Sequence, residues 1–212
     1  MSTSILITTN HAILTGDLDV PVSARGIVIF AHGSGSSRFS TRNRAVASFL
    51  SASGRFGTLL FDLLTAEEDL DWSNRFDIRL LSERLLAATH AVRSQPDLAH
   101  LPIGYFGAST GAAAAIVAAA QAHGSVDAIV SRGGRPDLAG EALDRDHVPT
   151  LLIIGGRDLE VLELNRQALA AIPAREKRLD VVPGATHLFE EPGTLEEVSR
   201  LALEWYERWL GR

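Results

Sequence analysis

Residues Gly107-Ala108-Ser109-Thr110-Gly111 join two runs of opposite character, and that junction constrains the fold more than any other feature of the chain. Before it, Leu101-Pro102-Ile103-Gly104-Tyr105-Phe106 reads as a buried strand; after it, Ala112 to Ala122 is almost all alanine and reads as a helix. A Gly-x-Ser-x-Gly turn between strand and helix puts serine at the tip of a tight, strained bend. Such a bend is tolerable only with small neighbours, and the glycines at 107 and 111 remove side chains that would clash between strand and helix. The hydroxyl is left above the sheet, where the helix N-terminus points free N–H groups at any negative charge that develops.

The rest of the chain alternates strands and helices. Ile5 to Thr9 and Ala12 to Val20 read as an antiparallel pair turning at Asn10-His11. Further strands are expected at Gly26–Ala31, Gly57–Leu63, Val126–Val130, Val148–Ile154 and Leu179–Val182. Helices are expected at Thr41–Ser53, Phe76–Ser94, Leu159–Ile172 and Thr194–Leu210. In the last of these, Thr194 is expected to N-cap, with Glu197 completing a capping box, and Leu195, Val198, Leu201, Trp205 and Trp209 form the buried stripe. This alternation implies an α/β fold, a mostly parallel sheet covered by helices on both faces.

A serine hydroxyl needs a base to take its proton, and the base needs a group that orients it. With this kind of turn the chain order is Ser, then Asp or Glu, then His. Asp158 follows the strand ending in Gly155-Gly156-Arg157, and His187 follows the strand leading into Pro183-Gly184-Ala185-Thr186. Both fall at the sheet edge that carries Ser109, the edge where parallel sheets bind ligands. After the first central strand, His32-Gly33-Ser34-Gly35-Ser36-Ser37 can offer a backbone N–H to an oxyanion; Ser34 is the candidate donor, with Thr110 as the second. His32 is expected to brace this loop by hydrogen bonds. His11, His90, His100, His123 and His147 have no partner at metal-ligand spacing. There is no His-Glu-x-x-His and no cysteine, so no metal is expected. Phosphate-cradling and dinucleotide-binding glycine motifs are absent too, and no cofactor is expected.

These pieces together resemble the α/β-hydrolase superfamily and, within it, the small dienelactone-hydrolase-like group. The resemblance spans nearly the whole chain. His32 to Ser37, Gly107 to Gly111, Gly155 to Asp158 and Gly184-Ala185-Thr186-His187-Leu188-Phe189 carry it. It implies an eight-stranded sheet with Ser109, Asp158 and His187 as a triad, and hydrolysis of esters, thioesters or lactones. Dienelactone hydrolases proper use cysteine as nucleophile, whereas this chain has serine there. Similar domains also occur attached to phosphoribosyltransferase domains.

At 212 residues, one hydrolase domain over 1–212 is expected. Strands and helices consume most of the chain. The place for a small insertion is Thr65 to Arg75, polar and acidic, so little or no lid is expected, and soluble substrates rather than an oil interface. A net charge of −6 speaks against nucleic-acid binding. No stretch approaches the roughly 20 apolar residues of a membrane span. The N-terminus lacks the basic and apolar regions of a secretory signal, so a cytoplasmic enzyme, monomer or homodimer, is expected. Two loops are rich in arginine, Arg38 to Arg44 and Arg132-Gly133-Gly134-Arg135. Arg38 or Arg132 is the candidate to hold an anionic ester through its planar fork. Against that, only one of the 20 basic residues is lysine, and ion pairs with Asp62, Asp137 or Asp158 would occupy several arginines. The alternative functions are a non-catalytic binding module on the same shell, and acyl transfer or perhydrolysis with the same triad.

Overall fold

The computed structural model describes residues 3–122 and 124–211; His123, one of the histidines set aside above, lies outside them. One sheet takes in eight strands. β1 (Thr3–Thr8) and β2 (Ile13–Asp19) form an antiparallel hairpin, closed where the Thr9 N–H donates to the Ala12 carbonyl at 2.9 Å. The hairpin joins the sheet through β2 and β4 (Phe56–Phe61), again antiparallel. Every other pairing is parallel, through β3 (Gly26–Ala31), β5 (Ile103–Ala108), β6 (Ala128–Arg132), β7 (Thr150–Gly155) and β8 (Lys177–Val182). The order across the sheet is β1-β2-β4-β3-β5-β6-β7-β8.

The five strands from β3 to β7 are buried at every position, as strands covered on both faces must be. Alternate side chains divide between two cores. Ile27 and Ile29 pack with α2 (Ile78–Arg93) and α3 (Thr110–Gln121), whereas Val28 and Phe30 pack with α1 (Thr41–Ala52) and α5 (Thr194–Trp209). α4 (Leu159–Ala171) adds Val161 and Leu162 against Ile154 of β7. Ser40 caps α1 by accepting the Asn43 N–H, and Asp77 caps α2 by accepting the Leu80 N–H.

The capping box expected for α5 does not form. Gly193, at φ 81°, holds the N-cap position, so Thr194 is the first helical residue and its hydroxyl donates backwards to the Glu191 carbonyl at 2.7 Å. Glu197 instead pairs with Arg200, three residues along the same face. The Thr65–Arg75 segment is two short 3-10 turns, Glu68–Leu70 and Trp72–Phe76. It carries more than acidic residues, because Leu70 is 86% and Trp72 65% exposed. Ion pairs hold it, Arg84–Glu68 to α2 and Arg75–Asp69 within itself.

Candidate active site

Ser109 sits between β5 and α3 at φ 52°, ψ −121°, outside the region open to most side chains. The two flanking glycines explain how the turn closes. A Cβ on Gly107 would lie 2.5 Å from Ala112 Cα, and one on Gly111 only 2.2 Å from the Ala31 carbonyl oxygen. The turn is also tied to the loop after β6: the Ser109 N–H donates to the Arg132 carbonyl (3.3 Å), and the Arg135 N–H donates to the Ser109 carbonyl (3.1 Å).

The loop after β3 leans on this turn. A Cβ on Gly33 would come within 3.0 Å of Ser109 Cβ, so only glycine lets the backbone approach so closely. His32 braces the loop: its Nε2 accepts the Leu63 N–H at 3.0 Å and its Nδ1 lies 3.0 Å from the Gly33 carbonyl. A ring that accepts at Nε2 and donates at Nδ1 is neutral, and burial lowers its pKa in the same sense. Thr110 opens α3, where backbone N–H groups have no acceptor within the helix.

Asp158 occupies the N-cap position of α4, yet its side chain does not cap the helix. It turns instead to His187, with Oδ2 2.6 Å from Nδ1. That contact holds the ring in the tautomer with hydrogen on Nδ1 and leaves the lone pair on Nε2. The two loops are tied together: the Arg157 N–H donates to the Ala185 carbonyl and the Gly156 N–H to that of Val182, each at 2.9 Å. Gly155 makes this closeness possible, since a Cβ there would lie 2.5 Å from both the Ala185 and Thr186 carbonyl oxygens. Beyond the histidine, the Glu191 carboxylate accepts the Thr186 N–H at 3.0 Å, and Phe189 is buried with φ at 55°. Gly133, at φ 52°, lies beneath His187, where a Cβ would sit 3.1 Å from the His187 carbonyl oxygen.

Ser109, His187 and Ser34 line one cavity of about 250 Å³, together with Gly33, Arg42, Asn43 and Arg132. Larger hollows, about 390 Å³ beside Asp17 and Thr58 and about 440 Å³ beside Asp127 and His147, contain none of these residues. The two arginines singled out in the sequence part company. Arg38 is engaged by Asp62 and by Asp17 and does not line the Ser109 cavity, whereas Arg132 does. Arg135, as expected for some of the arginines, pairs with an aspartate, Asp137, at 2.7 Å. Arg42 and Asn43 lie in the arginine-rich Arg38–Arg44 stretch and Phe189 in the segment around His187, but nothing in the local pattern assigns these residues, or Glu191, to the site.

No family model matches the chain. Two curated proteins of Mycobacterium tuberculosis, from strains CDC 1551 and H37Rv and both named provisionally as phosphoribosyl transferases, are 62% identical over 193 residues. The match covers 91% of this chain but only 43% of theirs, so the chain spans less than half the length of these relatives. The crystal structure of a dienelactone hydrolase from Anabaena variabilis superposes with a TM-score of 0.95 at 50% identity, over 99% of this chain and 98% of that one. The chain belongs to the dienelactone hydrolase family. Est1E from Butyrivibrio proteoclasticus (17% identity, TM-score 0.82, 99% of each chain) shares the fold. So does an esterase of Pyrococcus furiosus (21% identity, TM-score 0.79, 100% of this chain and 92% of that one). The parallel sheet expected from the alternating elements and the eight-stranded α/β-hydrolase architecture implied by the resemblance are both observed, and the family supports a hydrolase.

Proposed function

We propose that this member of the dienelactone hydrolase family is a serine hydrolase of small carboxylic esters, with thioesters and lactones as related substrates, and that residues 1–212 act as one hydrolase domain. Ser109 attacks the carbonyl carbon while Nε2 of His187 takes the hydroxyl proton. Asp158 holds His187 at Nδ1 and stabilises the imidazolium that forms. The backbone N–H groups of Ser34 and Thr110 receive the oxyanion; in enzymes of this kind losing one such donor raises the barrier by about 3 kcal/mol. His187 then protonates the leaving alcohol, and water, activated by the same histidine, releases the acid from the acyl-serine. The observation that carries this reading is the shared cavity: a strained Ser109 and an Asp158-bound His187 open onto the same 250 Å³ space.

The test is to treat purified protein with a fluorophosphonate probe and with short- and medium-chain nitrophenyl esters, beside a Ser109→Ala variant. Labelling and turnover are expected for the parent and neither for the variant. A well-folded parent that neither labels nor turns over any ester overturns the proposal and favours the binding-module reading. The phosphoribosyl transferase designation belongs to the longer mycobacterial proteins, of which this chain matches less than half.

A further inference from the structure

Arg132 ends β6 and is 7% exposed, yet among the described residues no carboxylate pairs with it. Its Nε is buried without a hydrogen-bond partner among the described residues. Its one side-chain acceptor, Asn43 Oδ1, stands 3.5 Å away, at the far limit of a hydrogen bond. Phe189 covers one side, with the ring centroid 5.9 Å from the guanidinium carbon. Arg84 offers the contrast at its terminal nitrogens: it is as buried and, among the described residues, its Nε is also unpartnered, but Glu68 and the Thr9 hydroxyl meet its two amino groups. A second cation makes matters worse for Arg132. Burial first, and then the opposing charge of Arg42, push the pKa of the Arg132 guanidinium down to about 10. Among the described residues Arg42 has a buried Nε without a hydrogen-bond partner and pairs only with Glu190, a residue 64% exposed at its side chain.

A buried cation without a counter-ion is costly, so such groups normally occur paired. Here two guanidinium groups face one small cavity lined also by Ser34, Ser36, Ser40 and Asn43, a set rich in donors and free of carboxylates. The cavity is the one that holds Ser109. Arg132 is also the register partner of Ala108, one strand over from the residue before the serine. Adjacent strands are roughly 4.8 Å apart, so an anion on the Arg132 fork would lie only a few bonds from a carbonyl at Ser109.

We propose that Arg132 and Arg42 form an oxyanion-binding subsite for a phosphate monoester carried by the substrate close to its ester carbonyl. Two forks and several hydroxyls match the charge and oxygen count of a phosphate better than those of a carboxylate. The subsite rests on the serine-hydrolase proposal for its place beside a scissile bond, but its binding half is tested independently. Ser109→Ala protein is titrated calorimetrically with inorganic phosphate and, separately, with acetate, and so are Ser109→Ala/Arg132→Met and Ser109→Ala/Arg42→Met. Saturable phosphate binding is expected in the first, weakened by about 30-fold or more in each double variant, with acetate much weaker throughout. In the Ser109 background, kcat/KM is compared for a phosphate-bearing ester and its neutral isostere, and the ratio is expected to collapse in Arg132→Met and Arg42→Met. Because it is a ratio, it is insensitive to partial loss of active enzyme, and Arg42→Met serves if Arg132→Met does not fold. Phosphate binding without turnover of either ester would sustain the subsite and overturn the hydrolase reading. Turnover with no preference for the phosphate ester and no phosphate binding would overturn the subsite, and acetate binding as tight as phosphate would overturn the phosphate assignment.

Discussion

Gly155→Ala tests whether the placement of His187 depends on backbone contact between two loops. The glycine is the last residue of β7, and it has an ordinary backbone angle, so the argument concerns space alone. A methyl group there would meet the Ala185 and Thr186 carbonyl oxygens at 2.5 Å each, a distance real Cβ atoms do not show. To reach even a tight contact, both carbonyls must retreat by about 0.7 Å. Thr186 immediately precedes His187, and Ala185 accepts the Arg157 N–H beside Asp158. The retreat therefore shifts the histidine against its aspartate and its serine together. Displacements approaching 1 Å cost on the order of 10² in rate, so kcat/KM should fall by about 10- to 100-fold. Overpacking should also remove about 1–3 kcal/mol of stability. Gly156→Ala is the control, because a Cβ there finds its nearest neighbour, the Val182 carbonyl oxygen, at 3.3 Å. Steady-state kinetics on a nitrophenyl ester and urea unfolding of both variants make the comparison. A Gly155→Ala protein as active and stable as Gly156→Ala would refute the spatial argument.

Asp158→Asn preserves shape but presents an N–H to Nδ1, driving the proton to Nε2, the atom needed as base. A fall in kcat of about 10³- to 10⁴-fold with little change in thermal midpoint is expected, and a loss smaller than tenfold would show that Asp158 does not set the tautomer. Asp146 concerns stability alone. Burial raises its pKa to about 6, against hydrogen bonds from Thr150 and Val148 that act the other way. The folded state thus keeps a proton that the unfolded chain has released, so stability falls as pH rises from about 4 to about 6, by about 3 kcal/mol in all. Asp146→Asn cannot make that exchange. The stability difference between variant and parent, followed by urea unfolding, should move in favour of the variant by about that amount between pH 4 and pH 7, and parallel curves would contradict it.

Hydrophobic period and glycine placement made most of the fold readable in advance. The buried strands and the long helices differ from expectation by no more than two residues at either end, where fraying and caps decide. The start of α5 was misjudged because a Thr-x-x-Glu pattern takes no account of the αL glycine before it, which moves the threonine one position into the helix. The 3-10 turns at Glu68–Leu70 and Trp72–Phe76 are too short to repeat a face, and Pro136–Arg145 is broken by the kink at Gly140, φ 55°, so none left a periodic trace. Ser109, Asp158 and His187 were legible because strand ends and chain order locate them. That Arg132 has no carboxylate partner among the described residues was not: an arginine's partner is a fact of three dimensions, and Arg38, equally prominent in sequence, is held by two aspartates.

α3 supports Ser109 with alanine at seven of its twelve positions, nearly all of them buried. Alanine has no rotamers to lose on folding, so little side-chain entropy opposes the ordering of this helix. The same property governs how it responds to heat. Warming a packed interior first populates alternative rotamers, and a layer of methyl groups has none to offer. The footing of the serine should therefore stay rigid as temperature rises, and loosening should begin at the exposed rim of Leu70 and Trp72 and in the loop that carries His187. On the proposed mechanism, heating displaces His187, the proposed base, before it displaces Ser109, the proposed nucleophile.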